Sequence, residues 1–200
     1  MRFKHLVIED FLAPADHAAL LAFTLANRTG FRPSEVHEHG SGLTAPDMRS
    51  SLRFGGELGT IGALFEAAIM ARQGALFAGT GTAPFPIKRC EIELSAHRDG
   101  GFFAMHQDTL TGEERLSRGA DRLMSTVYYF HAAPQRFSGG ELALYPLGPG
   151  KPELIAPRDN CLIAFASMAP HEVRSVSCPS GQFAAARFSI NCWLHRARDQ

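Results

Sequence analysis

The sequence lacks an excess of charge of either sign, a long apolar run and any clustering of cysteine. Each absence removes a class of protein. Over 200 residues, 20 Lys+Arg stand against 20 Asp+Glu, so the chain has no footprint for binding nucleic acid by phosphate neutralisation and no polybasic patch for a membrane surface. The apolar stretches are interrupted well short of the ~20 residues that cross a bilayer. The start, MRFKHLVIEDFLAPADH, has no apolar block followed by a small-residue cleavage site, so a cytoplasmic enzyme or binding protein is expected. The 4 cysteines (Cys90, Cys161, Cys178, Cys192) form no C-x-x-C pair. That spacing suits neither a zinc ribbon nor a redox dithiol, and the four read as reduced small hydrophobes.

What is present is a 45% hydrophobic chain with 15 Phe and 9 His, enough to bury one sizeable core. No repeat or low-complexity tract divides it, and Gly and Pro punctuate the second half throughout. One domain, residues 1–200, is expected. Residues 14–28 and 59–77 carry helical periodicity, with Leu20, Leu21 and Leu25 on one face and Ile61, Leu64, Phe65, Ala68 and Ile69 on the other segment's face. From residue 86, short runs alternate with turns: IKRCEIELSAH, LMSTVYYFH, GELALYP, NCLIAFAS and FAAARFSINCWLH. The order predicts an α+β chain, with residues 1–85 a mainly helical support and 86–195 a sandwich or barrel.

The candidate chemistry falls in the second part. In FFAMHQDT, His106 and Asp108 are two apart, a period that sends both side chains to one face of an extended segment. Imidazole nitrogen and carboxylate oxygen together suit Fe(II). An isolated H-x-D equally describes an exposed polar turn. His171, in APHEV after the buried-looking strand at 160–167, supplies a third donor, and two His with one carboxylate leave coordination positions open for reactants. In FAAARFSINCWLH, alternation puts Arg187, Ser189, Asn191 and Trp193 on one face and Phe188, Ile190, Cys192 and Leu194 on the other. The apolar set fits packing against helices. The other places a guanidinium inside with no acid on its own strand face, which calls for a ligand carboxylate or a surface acid as partner.

With GGFFAMHQDT, STVYYFH, FSGGELALYP, NCLIAFASMAPHEV and RFSINCWLH in that order, the chain resembles the Fe(II)- and 2-oxoglutarate-dependent oxygenases of the prolyl 4-hydroxylase-like branch. The resemblance implies a double-stranded β-helix (jelly-roll) core with the N-terminal helices packed on one sheet. It implies that His106, Asp108 and His171 bind iron and are the catalytic centre. Arg187 would hold the distal carboxylate of 2-oxoglutarate, joined by the hydroxyl of Tyr129, with Trp193 beside the metal pocket. The implied cofactors are Fe(II), 2-oxoglutarate, O2 and ascorbate, and the implied reaction hydroxylates a prolyl residue or a proline-like small molecule with release of succinate and CO2.

The chain departs from the family pattern in three places. His97 stands near a position where relatives often carry tyrosine, and it reads either as a co-substrate or substrate contact or as a surface histidine at a strand end. His131 replaces a common Asn. The interval from His171 to Arg187 is long, the extra length being residues 175–182, which reads as a loop insertion. Thr109 is a candidate for orienting Asp108. Residues 37–53, with Arg49, and 109–122 are candidates for substrate contact. The alternatives are a cupin-like metal-binding or sensory jelly roll without oxygenase activity and a ligand-binding sandwich with structural histidines. The partners expected are a small-molecule or peptidyl substrate, with no nucleic acid and no membrane. Substrate identity and oligomeric state are not written in any motif.

Overall fold

The computed structural model describes residues 1–34, 47–109, 111–112, 115 and 119–198. The strands are β1 (His5–Ile8), β2 (Phe31–Pro33), β3 (Arg49–Ser50), β4 (Leu52–Phe54), β5 (Ile87–His97), β6 (Phe102–His106) and β7 (Ala120–Phe130). They continue with β8 (Ser138–Gly139), β9 (Leu142–Leu144), β10 (Glu153–Ile155), β11 (Cys161–Ala166), β12 (His171–Val173), β13 (Val176–Ser177) and β14 (Arg187–Ala197). The helices are α1 (Pro14–Ala26), α2 (Gly59–Ala71) and α3 (Gln73–Thr80). A seven-stranded sheet runs β1-β11-β7-β14-β5-β4-β2, a five-stranded sheet runs β10-β9-β12-β6-β3, and β13 pairs with β8 alone. All pairings are antiparallel. The two large sheets form the jelly roll, and the helices cover one face of the larger.

The alternation read in the sequence explains the layering. Phe188, Ile190, Cys192 and Leu194 on β14 join Leu94 and Ala96 of β5, Tyr128 and Phe130 of β7, and Phe65, Ile69 and Leu76 of α2 and α3 in one buried cluster. Phe65 is fully buried, with its ring 5.8 Å from Phe11 and 5.6 Å from Tyr128. Pro14 opens α1 at a position where its missing N–H costs nothing. Gly79 lets α3 lie directly on β1, since a Cβ there would fall 2.8 Å from Leu6 Cβ.

The segment 1–85 also contributes short strands: β1, β2 and β4 extend the large sheet and β3 extends the small one. Two expectations are corrected. The helix expected over 59–77 is two helices bent by 60° at Arg72. Residues 183–185 form a 3-10 turn rather than strand, because the Phe183 ring inserts between Phe31 (4.9 Å) and Phe188 (5.2 Å) and turns the chain just before Arg187. Among the described residues no single helix is long and apolar enough to cross a membrane.

Replacing the fully buried Phe65 by Ala should cost about 3–5 kcal/mol of stability, through lost burial and the cavity left beneath α2. Urea unfolding should show a lower midpoint with an unchanged slope.

Candidate active site

The cleft between the sheets has a triad at one end. His106 ends β6 and His171 begins β12, and the two are cross-strand partners in the small sheet. Asp108 stands just beyond the strand, its backbone N–H donating to the Ser167 carbonyl at 2.9 Å. His106 Nε2 lies 3.6 Å from Asp108 Oδ1 and His171 Nε2 3.5 Å from Oδ2. One donor atom from each residue falls within 4.8 Å of the others, a spacing that one cation could bridge.

The donors are already oriented. His106 Nδ1 is 2.8 Å from the Ala104 carbonyl and His171 Nδ1 is 2.8 Å from the Ala169 carbonyl. A carbonyl only accepts, so each Nδ1 carries the proton and each Nε2 presents its lone pair to the gap. The Phe103 ring stacks on His106 at 3.6 Å, and Phe165 meets His171 edge-on at 4.8 Å. Ser125 donates to Asp108 Oδ2 at 2.6 Å and lies 2.9 Å from the Ser167 hydroxyl. Burial alone would raise the Asp108 carboxyl, but His171, His106, Ser125 and the Trp193 indole outweigh it and hold the group below the usual carboxylate range. Burial and then His171 push His106 down to about 4, against the opposing pull of Asp108. An anionic carboxylate and a neutral His106 are the forms a divalent cation requires.

The other end of the cleft holds Arg187, 1% exposed. Its Nη1 donates to His97 Nδ1 at 3.1 Å, and its guanidinium lies 4.5 Å from the centroid of the Tyr129 ring. Arginine only donates, so the His97 proton sits on Nε2. Arg187 Nε and Nη2, the Tyr129 hydroxyl, Ser189 Oγ and His97 Nε2 are buried with no hydrogen-bond partner among the described residues. Each such group costs about 1–3 kcal/mol if left unmet. A carboxylate arriving there would accept from several of them at once. Burial, then Arg187 and Arg49, hold the His97 imidazole well below its ordinary value, so it is neutral.

Between the two ends, Arg49 of β3 donates to Glu93 of β5 at 2.6 Å and lies 4.9 Å from the Phe103 ring centroid. Ser95 also donates to Glu93, at 2.8 Å. Arg49 outweighs burial in keeping Glu93 below the usual carboxylate range. This pair is therefore internally neutral, so Glu93 does not serve as the counter-charge of Arg187. Trp193 lines the same cleft. Its ring lies 4.1 Å from the Arg122 guanidinium, which Glu91 grips with contacts of 2.8 and 3.1 Å.

The structure brings His106, Asp108, His171, Arg187, Tyr129, Trp193 and His97 to one cleft, with Arg49 on its wall. His97 is 3% exposed, so its reading as a surface histidine is overturned: register pairs it with Arg187 across β5 and β14. Ser125, not Thr109, fixes the Asp108 carboxylate. His131 lies outside the cleft lining, its backbone N–H donating to Asp159 at 2.9 Å. The insertion at 175–182 is not a bare loop, since it forms β13 and buries Cys178. Sequence reasoning placed Ser189 on the inner face with Arg187 but missed Ser125, Glu93 and Ser95, although the period of two within STVYYFH and CEIELSAH puts these three on the faces that carry Tyr129 and His97. Of the substrate-contact candidates, residues 37–46, 110, 113–114 and 116–118 lie outside the described residues.

Comparison with known proteins adds context. The sequence profile of the 2OG-Fe(II) oxygenase superfamily matches residues 92–195. An uncharacterized PKHD-type hydroxylase of Synechocystis is 30% identical over 197 residues, covering 94% of this chain and 62% of that protein. The chain therefore spans less than two thirds of the length of this curated relative. A crystal structure of a prolyl-4-hydroxylase from Pseudomonas putida superposes with a TM-score of 0.73 at 21% identity, covering 98% of this chain and 94% of that one. A prolyl hydroxylase from Trichoplax adhaerens, in complex with a hypoxia inducible factor oxygen degradation domain peptide fragment, gives 0.70 at 18% identity, covering 96% and 83%. At these identities the structural likeness concerns the fold.

The neutral His97 generates a pH prediction. Its folded-state pKa is depressed below the ordinary 6.5, so the unfolded chain takes up protons that the folded chain refuses. The stabilisation is complete above about pH 6.5 and is lost as pH falls toward the folded value. Thermal melts of the metal-free protein should show Tm falling on acidification below about pH 6.5, and His97→Gln should reduce that dependence, leaving the part that comes from His106, held at about 4.

Proposed function

The chain belongs to the 2OG-Fe(II) oxygenase superfamily, and from that premise we propose that it is a single-domain Fe(II)- and 2-oxoglutarate-dependent hydroxylase over residues 1–200. One observation carries the reading: a fully buried Arg187 with unpartnered N–H groups shares a cleft with three metal-competent donors. A jelly roll that only bound a metal would have no use for that guanidinium. A dicarboxylate reaching from the triad to Arg187 uses both ends.

The residues suit these roles. His106, Asp108 and His171 are the proposed Fe(II) ligands, a nitrogen and oxygen set that leaves further positions open. When bound, Fe(II) supplies the oxidative step in which 2-oxoglutarate and O2 become succinate and CO2 and one oxygen atom passes to a substrate C–H. Arg187, with Tyr129, Ser189 and His97, would hold the distal carboxylate. Ser125 and Ser167 fix Asp108 so that its oxygens do not rotate away. Val127, Leu142 and Val173 line the cleft between its ends and keep it dry. Trp193, Phe103 and the Arg49–Glu93 pair form the wall assigned to substrate.

A prolyl residue or a proline-like small molecule is the proposed substrate class, supported by the fold shared with the two prolyl hydroxylases and by the hydroxylase relative. Ascorbate is proposed as the accessory reductant. The cytoplasm is proposed as the compartment, in keeping with four free cysteines among the described residues.

Anaerobic addition of Fe(II) and 2-oxoglutarate to the wild-type protein should produce the visible charge-transfer band of the chelate. Its absence would sink the oxygenase reading. Arg187→Ala should weaken co-substrate binding by about a hundredfold or more, since a buried charge-assisted contact of ~3 kcal/mol is lost. Succinate release measured across prolyl peptides and free amino acids identifies the substrate. No stimulation by any prolyl compound would overturn the proposed class.

A further inference from the structure

We propose that residues 175–182 act as a strap holding Arg187 in its carboxylate-binding orientation, and that Asp99 is the positioning residue that clasps it. The proposal deepens the oxygenase reading and rests on Arg187 as the group that meets the co-substrate.

The strap acts on the Arg187 stem through one glycine that lies outside it, Gly140. Gly140 has φ +72°, and a Cβ built on it would lie 2.6 Å from Arg187 Cδ, 3.1 Å from Arg187 Nε and 2.9 Å from Val176 Cγ2. Its backbone is thus wedged between the arginine stem and Val176. Gly140 N–H donates to the Ser175 carbonyl at 3.1 Å, and β8 pairs with β13 beside it. The outer wall of Arg187 is therefore the Gly140 backbone, and the insertion backs that wall from behind through Ser175 and Val176.

The strap is in turn tied to the turn that follows His97. Gly100 N–H donates to the Val176 carbonyl and Val176 N–H to the Gly101 carbonyl, each at 2.8 Å. Asp99 Oδ1 accepts from the Cys178 N–H at 2.6 Å, and Arg98 Nη2 donates to the Gly181 carbonyl at 2.8 Å. Beneath these ties Phe137, Val176, Cys178 and Ala185 form a small separate core. His97 and Arg187 are cross-strand partners. The clasp therefore closes the sheet end where both of them sit.

An unpartnered guanidinium binds a carboxylate tightly only if water is kept from it and its fork is held in one orientation. The Arg187 N–H groups with no protein partner gain that order from the His97 contact at Nη1, from the Tyr129 ring and, on the outer side, from Gly140 backed by the strap. Asp99 is exposed, so its removal loosens the strap without opening the main core.

The test uses full-length protein loaded with Mn(II) under argon and titrated calorimetrically with 2-oxoglutarate. Asp99→Ala should weaken binding about five- to tenfold. Asp99→Asn, which keeps an acceptor for the Cys178 N–H, should restore it. Mn(II) affinity and the Tm of the metal-free protein should stay at wild-type values, and in turnover KM for 2-oxoglutarate should rise with kcat unchanged. Arg98→Ala, which frees the strap at Gly181, should reproduce the loss and serves if Asp99→Ala does not fold. Wild-type affinity for 2-oxoglutarate in both alanine variants overturns the strap while the oxygenase reading stands. No binding of 2-oxoglutarate by the metal-loaded wild type overturns both.

Discussion

A guanidinium buried inside a protein is tolerated only when something answers its charge, and in this fold the burial of Arg187 constrains almost everything around it. It sits at the start of β14, the strand that pairs with β5 on one side and β7 on the other. Because side chains alternate, the same strand that carries Arg187, Ser189, Asn191 and Trp193 into the cleft carries Phe188, Ile190, Cys192 and Leu194 into the helix-facing core. A slip of one residue would send the guanidinium into that apolar layer and the phenylalanine into the cleft. The helices thus fix the register of the site without touching it.

Along the cleft the charges are sorted. At the triad end Asp108 faces two imidazoles, and in the middle Arg49 and Glu93 neutralise one another. At the closed end His97 gives Arg187 a neutral acceptor rather than a carboxylate. Had Glu93 stood at the His97 position, the arginine would have been satisfied by its own protein. The polarity therefore favours an anionic group at the closed end and leaves the metal end to be completed by a cation. A molecule with a chelating head and a carboxylate tail matches that sequence of charges in one orientation only.

What could be read from the sequence follows the locality of the forces. His106 and Asp108 are legible because a strand period links them, and Arg187 and Trp193 because one strand carries both. The jelly roll is legible from the train of short runs and turns. His97 is ambiguous because its burial depends on pairing with a strand ninety residues away. Ser125 escaped because its contact with Asp108 arises where β7 meets β11, with Phe165 opposite it in register. Arg49 enters the cleft only because β3 pairs with β6. The helix break at Arg72 and the 3-10 turn before Arg187 are tertiary in origin, imposed by packing that local periodicity does not encode.

The two histidines of the triad show how local geometry prepares a site that the long-range fold assembles. Each donates its Nδ1 proton to the carbonyl two residues earlier, Ala104 for His106 and Ala169 for His171. Those bonds lie within single segments, one at the end of a strand and one in the turn before another, so the tautomer is set by short stretches of chain. Pairing of β6 with β12 then needs only to bring two prepared rings together, and the Ser125–Ser167 contact turns the carboxylate to meet them. The division of labour also accounts for the difference between the ends of the cleft. The triad is oriented by its own backbone, whereas Arg187, a long side chain with no such local anchor, depends on what packs against its stem.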